Sequence, residues 1–188
     1  MNNAFTSLAE IPPMQAAARG GSTAIQCEDR ILTCGELERR AGAAAGMLAA
    51  MDVVPGDRVA WLGRTHEAFF ELLFASAKVR ACFTPINTRL AVPEIAFILD
   101  DSSADVLFVT SDCLAAAKAA LDAIPRWIDL VVVDAAREPY GDYQALRDVA
   151  RPYPARTPRP DDDVIQMYTS GTTGLPKGVR HTNASVCA

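Results

Sequence analysis

Four short apolar runs decide the fold: RVAWLG at 58–63, CFTPI at 82–86, DVLFVT at 105–110 and DLVVVD at 129–134. The centres of the last two, Val106–Val109 and Leu130–Val133, lack the polar alternation of a strand with one wet face, so helices are expected over both faces of their sheet. Between the runs lie helical stretches at 67–80, 93–101 and 112–124. Strand and helix alternating in this way predict an α/β fold, with a doubly wound, largely parallel sheet and flanking helices.

Upstream, Pro12 and Pro13 suit a helix start and Gly20 and Gly21 its end, which frames a short helix over 14–19. Residues 23–27 and 31–34 read as a small hairpin. Thr33 and Glu36 have the spacing of a capping box, and the Ala-, Leu- and Met-rich stretch to Met51 behind them is predicted to be helical. Thr65 is expected to cap the helix at 67–80. Downstream, a helix at 142–149 leads into a segment, 151–160, where four prolines and several arginines exclude regular structure. Residues 1–150 are thus expected to form the α/β unit, 151–163 a Pro/Arg/Asp linker and 164–188 a segment built around a loop.

That loop follows an extended run, Val164–Tyr168, and reads YTSGTTGLPKGV at Tyr168–Val179. Its glycines let backbone N–H groups approach an oxyanion, the hydroxyls of Thr169, Ser170, Thr172 and Thr173 add donors, and Lys177 supplies a positive charge. The residue types describe a polyphosphate cradle. The phosphate loop of the common NTPases needs Gly before its lysine and Ser or Thr after it, where this chain has Pro176 and Gly178, so that reading is rejected.

Tyr168–Val179 resembles the signature of the adenylate-forming superfamily, which includes acyl-CoA synthetases, aryl-CoA ligases, luciferases and peptide-synthetase adenylation domains. Leu32-Thr33 with Glu36-Leu37, Pro55–Ala60, Pro85–Leu90 and Glu94-Ile95 resemble further family landmarks in the family's order. The resemblance covers nearly the whole chain and implies the incomplete N-terminal portion of the family's large domain. It implies activation of a carboxylic acid by Mg-ATP to an acyl-adenylate, then transfer to coenzyme A. It also implies that Thr169, Ser170, Gly171, Thr172, Thr173, Gly174 and Lys177 hold the β- and γ-phosphates, with the Mg²⁺ ligands, the mobile C-terminal domain and its catalytic lysine outside these residues. The expectation is an N-terminal fragment, inactive alone and with no complete catalytic set. The alternative is a non-catalytic phosphate-binding or interaction module complementing a separately encoded C-terminal polypeptide. Asn183, where the family often has histidine, removes any aromatic gating role there, and Arg80 stands where the family usually has a left-handed glycine.

Composition narrows the partners. Half of the 188 residues are hydrophobic, 22% are charged and the formal net charge is −5, so the chain should fold, and it carries no electrostatic footprint for nucleic acid. No run is long enough to span a bilayer and no secretory leader is evident, so a cytoplasmic location is expected. Cys27, Cys34, Cys82, Cys113 and Cys187 lack disulfide or zinc spacing and read as free thiols. His66 and His181 read as structural residues, Asp161–Asp163 as a solvated run, and Phe69, Phe70 and Phe74 as core packing.

Overall fold

The computed structural model describes residues 5–27, 30–135, 139–169 and 175–188. In chain order the elements are α1 (Ile11–Arg19), β1 (Thr23–Cys27), β2 (Arg30–Thr33), α2 (Cys34–Ala50), β3 (Arg58–Leu62), α3 (Glu67–Val79), β4 (Cys82–Ile86), α4 (Val92–Asp101), β5 (Ala104–Val109), α5 (Leu114–Leu121), β6 (Asp129–Val132), β7 (Gly141–Asp142), α6 (Tyr143–Val149), β8 (Asp163–Thr169), β9 (Lys177–Thr182) and α7 (Asn183–Val186).

β1 and β2 form a separate antiparallel hairpin. The main sheet has seven strands in the order β7-β6-β5-β3-β4-β8-β9. All of its pairings are parallel except the last, where β9 runs antiparallel to β8. Strand alternation divides the core in two. Val59, Trp61, Phe83, Val106, Phe108 and Val131 pack with α2 and α3 on one face. Ala60, Leu62, Leu107, Val109 and Val132 pack with α4 and α5 on the other. The sheet is doubly wound, as the unalternating strands required.

The capping box of α2 is present: Thr33 Oγ1 accepts from the Glu36 N–H at 3.2 Å while the Glu36 carboxylate accepts from the Thr33 N–H at 2.9 Å. At α3 the cap is His66, not Thr65. The His66 ring Nδ1 accepts from the Ala68 N–H at 3.1 Å. The helix expected over 112–124 is shorter, a 3₁₀ turn followed by α5. Its end tightens because the N–H groups of Ala123 and Ile124 reach back only three residues, to Ala120 and Leu121, and Pro125 steers Ile124 away from helical geometry.

Two polar features were not read from the sequence. Glu71, in the middle of α3, is fully buried, and its carboxylate accepts from Arg40 (3.3 Å), Arg147 (2.9 Å) and the Tyr143 hydroxyl (2.6 Å). Burial and that carboxylate raise the Tyr143 hydroxyl well above the ordinary phenol range, so it remains a donor. The solvated run is also corrected. Asp161 is exposed, but Asp162 takes both guanidinium arms of Arg80, at 2.8 and 2.6 Å. Asp163 pairs with Arg58 at 3.4 Å and Arg180 at 3.1 Å. Because β8 starts at Asp163 beside β4, these carboxylates are carried over the end of α3 and the start of β3, where arginines wait.

Candidate functional site

Tyr168 and Thr169 of the loop signature end β8, and Lys177, Gly178 and Val179 begin β9. β8 joins the main sheet through Phe83 and Ile165, and its hydrophobic anchor Val164 is buried against Leu8, Ala9 and Ala77. β9 then pairs with β8 in the register Ile165–His181, Gln166–Arg180, Met167–Val179, Tyr168–Gly178 and Thr169–Lys177. This return strand is not foreseen from residue pattern, because Lys177–Thr182 has neither alternation nor an apolar run. The backbone hydrogen bonds of β8 are the signal, since a strand needs partners for both edges or solvent.

Alternation places Thr169, Lys177, Met167 and Val179 on one face of the hairpin and Tyr168, Gly178, Gln166 and Arg180 on the other. Thr169 and Lys177 are directly opposed, and side chains so opposed are immediate neighbours. Both are exposed, and Lys177 has no ion pair among the described residues. A hydroxyl donor and an uncommitted ammonium on one open face suit a polyanion. Ser170, Gly171, Thr172, Thr173 and Gly174 lie outside the described residues.

The opposite face of the hairpin is tied down by a chain of hydrogen bonds. Arg58 Nε donates to Gln166 Oε1 at 3.1 Å, Gln166 Nε2 donates to the Tyr168 hydroxyl at 2.9 Å, and that hydroxyl donates to Asp101 Oδ2 at 2.6 Å. Burial first, then the hydrogen bond to Asp101, raise the Tyr168 hydroxyl above its ordinary range. Gly178 makes room for this arrangement. A Cβ there would stand 2.8 Å from Gln166 Nε2 and 3.0 Å from the Tyr168 ring, closer than side chains pack.

His181, on β9, is half-buried, and Asn183 is buried. Asn183 donates to the Arg159 carbonyl at 2.9 Å and accepts from the Leu8 N–H at 3.3 Å, so it ties the N-terminal turn to the hairpin. Thr182 caps α7, accepting from the Ser185 N–H at 3.3 Å. Cys82 is buried and its thiol is pushed up to about 12 by burial, which suits a packed thiol and not a nucleophile. Among the described residues no group of three or more His, Cys, Asp or Glu side chains is arranged to hold a metal ion, and no helix is long and apolar enough to cross a membrane.

The fold is that of a doubly wound α/β protein whose sheet ends in a Gly/Thr/Lys hairpin. Residues 13–188 match the family of AMP-binding enzymes, and the chain belongs to that family. It is 38% identical over 156 residues to the fatty acid–[acyl-carrier-protein] ligase ScoC of Streptomyces coeruleorubidus, a match covering 83% of this chain and 29% of that protein. It is 38% identical over 182 residues to a feruloyl-CoA synthase of an Amycolatopsis species, covering 95% of this chain and 32% of the relative. The crystal structure of the anthranilate CoA ligase AuaEII in complex with anthranoyl-AMP superposes with a TM-score of 0.89 at 26% identity, over 96% of this chain and 35% of that one. The chain therefore spans about a third of the length of these proteins.

Proposed function

We propose that the chain supplies the ATP-phosphate hairpin of an AMP-forming acid–thiol ligase of the acyl-CoA synthetase type. In that reaction a carboxylate oxygen attacks the α-phosphorus of Mg-ATP, forming an acyl-adenylate and releasing pyrophosphate. A thiol then attacks the acyl carbon and AMP leaves. The relatives are named for both coenzyme A and an acyl-carrier protein, so the acceptor is proposed as a thiol, with coenzyme A preferred. The substrate is proposed to be a carboxylic acid. Thr169 and Lys177, with Ser170, Gly171, Thr172, Thr173 and Gly174, are assigned to the β- and γ-phosphates. Mg²⁺ arrives with ATP and no residue of this chain is assigned to it.

The observation that supports this reading is the direct opposition of Thr169 and Lys177 on the open face of the hairpin, in a chain that matches the family as far as residue 188. Charge neutralisation and positioning are what such phosphoryl chemistry asks of a protein. Since the relatives are about three times as long, turnover is proposed to need residues that occupy their remaining length, and the chain by itself is expected to bind Mg-ATP without forming thioester. Calorimetry on the purified chain tests this. Saturable Mg-ATP binding, weakened about tenfold or more in Lys177→Ala through loss of a charged contact, is the expected result. No binding by a chain whose circular dichroism shows it folded would overturn the assignment.

A further inference from the structure

We propose that Asp101 is a positioning residue for the phosphate hairpin. By accepting the Tyr168 hydroxyl it pins β8 to the C-terminal end of α4 and so fixes where Thr169 and Lys177 stand; this second step rests on the nucleotide reading above. Four observations meet here. Tyr168 immediately precedes Thr169 in β8. Its hydroxyl is saturated, accepting from Gln166 at 2.9 Å and donating to Asp101 at 2.6 Å. The chain continues to Arg58, which also donates to the Gly56 carbonyl and pairs with Asp163 at 3.4 Å, so the starts of β3 and β8 share one network with the tip. Lastly, Gly178 leaves the lane across which the Tyr168 ring reaches, since a Cβ would strike both the ring and Gln166.

The direction of this network matters. β8 meets the rest of the sheet at its base, through Val164 and Ile165, and β9 is an edge strand. Toward the tip, the hairpin is held to the body by the hydroxyl of Tyr168 and the packing of its ring against the α4 side of the core. Linked hydrogen bonds polarise one another and resist piecemeal loss. The pin borders a polar recess of about 430 Å³ lined by Asp57, Arg58, Asp101 and Gln166, so water competes for it and the expected effects are moderate.

Hydrogen exchange followed by mass spectrometry, on the 188-residue chain, reads the pin directly. Asp101→Ala and Tyr168→Phe should each speed exchange of the β8–β9 amides about fivefold, as loss of one charge-assisted hydrogen bond would, with α2 and β3 unchanged. Asp101→Asn keeps an acceptor and should restore most of the protection. The double variant Asp101→Ala/Tyr168→Phe should exchange no faster than Tyr168→Phe alone, because that single change already removes the bond to Asp101 together with the one from Gln166. Unchanged exchange, acceleration spread over the whole chain, or additive effects would overturn the pin. Mg-ATP titration of the same variants tests positioning. Affinity about fivefold weaker in Asp101→Ala and Tyr168→Phe, recovered in Asp101→Asn, supports it, and equal affinities alongside faster hairpin exchange overturn it. A wild-type chain that shows the pin by exchange and binds no Mg-ATP overturns the nucleotide reading, and the positioning role with it, while leaving the pin in place.

Discussion

At the scale of single residues, Arg80 shows two opposed effects on one side chain. It closes α3 at φ 66°, ψ 31°, where a non-glycine residue costs about 1 kcal/mol. The same backbone geometry aims its guanidinium at Asp162, which it meets with two bonds of 2.8 and 2.6 Å. A bidentate, charge-assisted pair in a mostly covered position is worth roughly 1.5–3 kcal/mol, so the pair outweighs the strain. Arg80→Gly relieves the strain and loses the pair, and should lower stability by about 1 kcal/mol in urea denaturation. Arg80→Ala keeps the strain and should cost about 2 kcal/mol. The pH dependence follows from the Asp162 carboxyl, which the Arg80 hydrogen bonds hold below its ordinary range. A carboxyl lowered in the folded state contributes stability above its unfolded value, near pH 4, and loses it as pH falls through the folded value. Wild type should therefore lose stability more steeply than Asp162→Asn below about pH 4, as read from denaturation midpoints across an acid series.

Between elements, the irregular segment 151–160 is where ordinary propensity rules invert. The Tyr153 N–H donates to the Gly42 carbonyl at 3.1 Å and the Arg156 N–H to the Lys78 carbonyl at 2.9 Å, so the segment lies across α2 and α3. It approaches α2 closely enough that a Cβ on Gly46 would fall inside the carbonyl of Arg151. In a free helix Gly→Ala gains about 1 kcal/mol, whereas Gly46→Ala must push the segment off the helix. Overpacking of this kind costs about 1–3 kcal/mol, so a net loss of about 1–2 kcal/mol is expected on thermal or urea unfolding. Gly21→Ala, where a Cβ meets nothing, should be near neutral or stabilising. The sequence showed that 151–160 is irregular, since four prolines admit nothing else. It could not show what the segment crosses, because that contact depends on two helix glycines whose spacing is indistinguishable from tolerated ones.

For the molecule as a whole, the layers were legible because local signals agreed with one another: unalternating strands, a capping box at Thr33 and helices of sufficient length all demanded a sheet covered on both faces. The candidate loop was legible for a different reason, a dense run of glycine, hydroxyl and lysine. What escaped were pairings across long sequence separation, such as Glu71 with Arg40, Arg147 and Tyr143, or Asp101 with Tyr168, in which each residue alone reads as an ordinary polar position. The return strand β9 escaped as well, and among the described residues it pairs with β8 alone, which leaves its other edge open. On its outer hairpin face the cross-strand pair Met167 and Val179 is 49% and 42% exposed. An apolar pair beside unpaired strand edges is a site for association. Sedimentation velocity of the purified chain should therefore show concentration-dependent self-association, and Met167→Lys with Val179→Lys should suppress it, because a charge on an exposed strand position blocks edge pairing. Both positions point away from Tyr168 and Gln166, so the double variant should keep the slow β8–β9 amide exchange of the wild type; a monomeric wild-type chain at all concentrations would show that this exposed pair does not drive association.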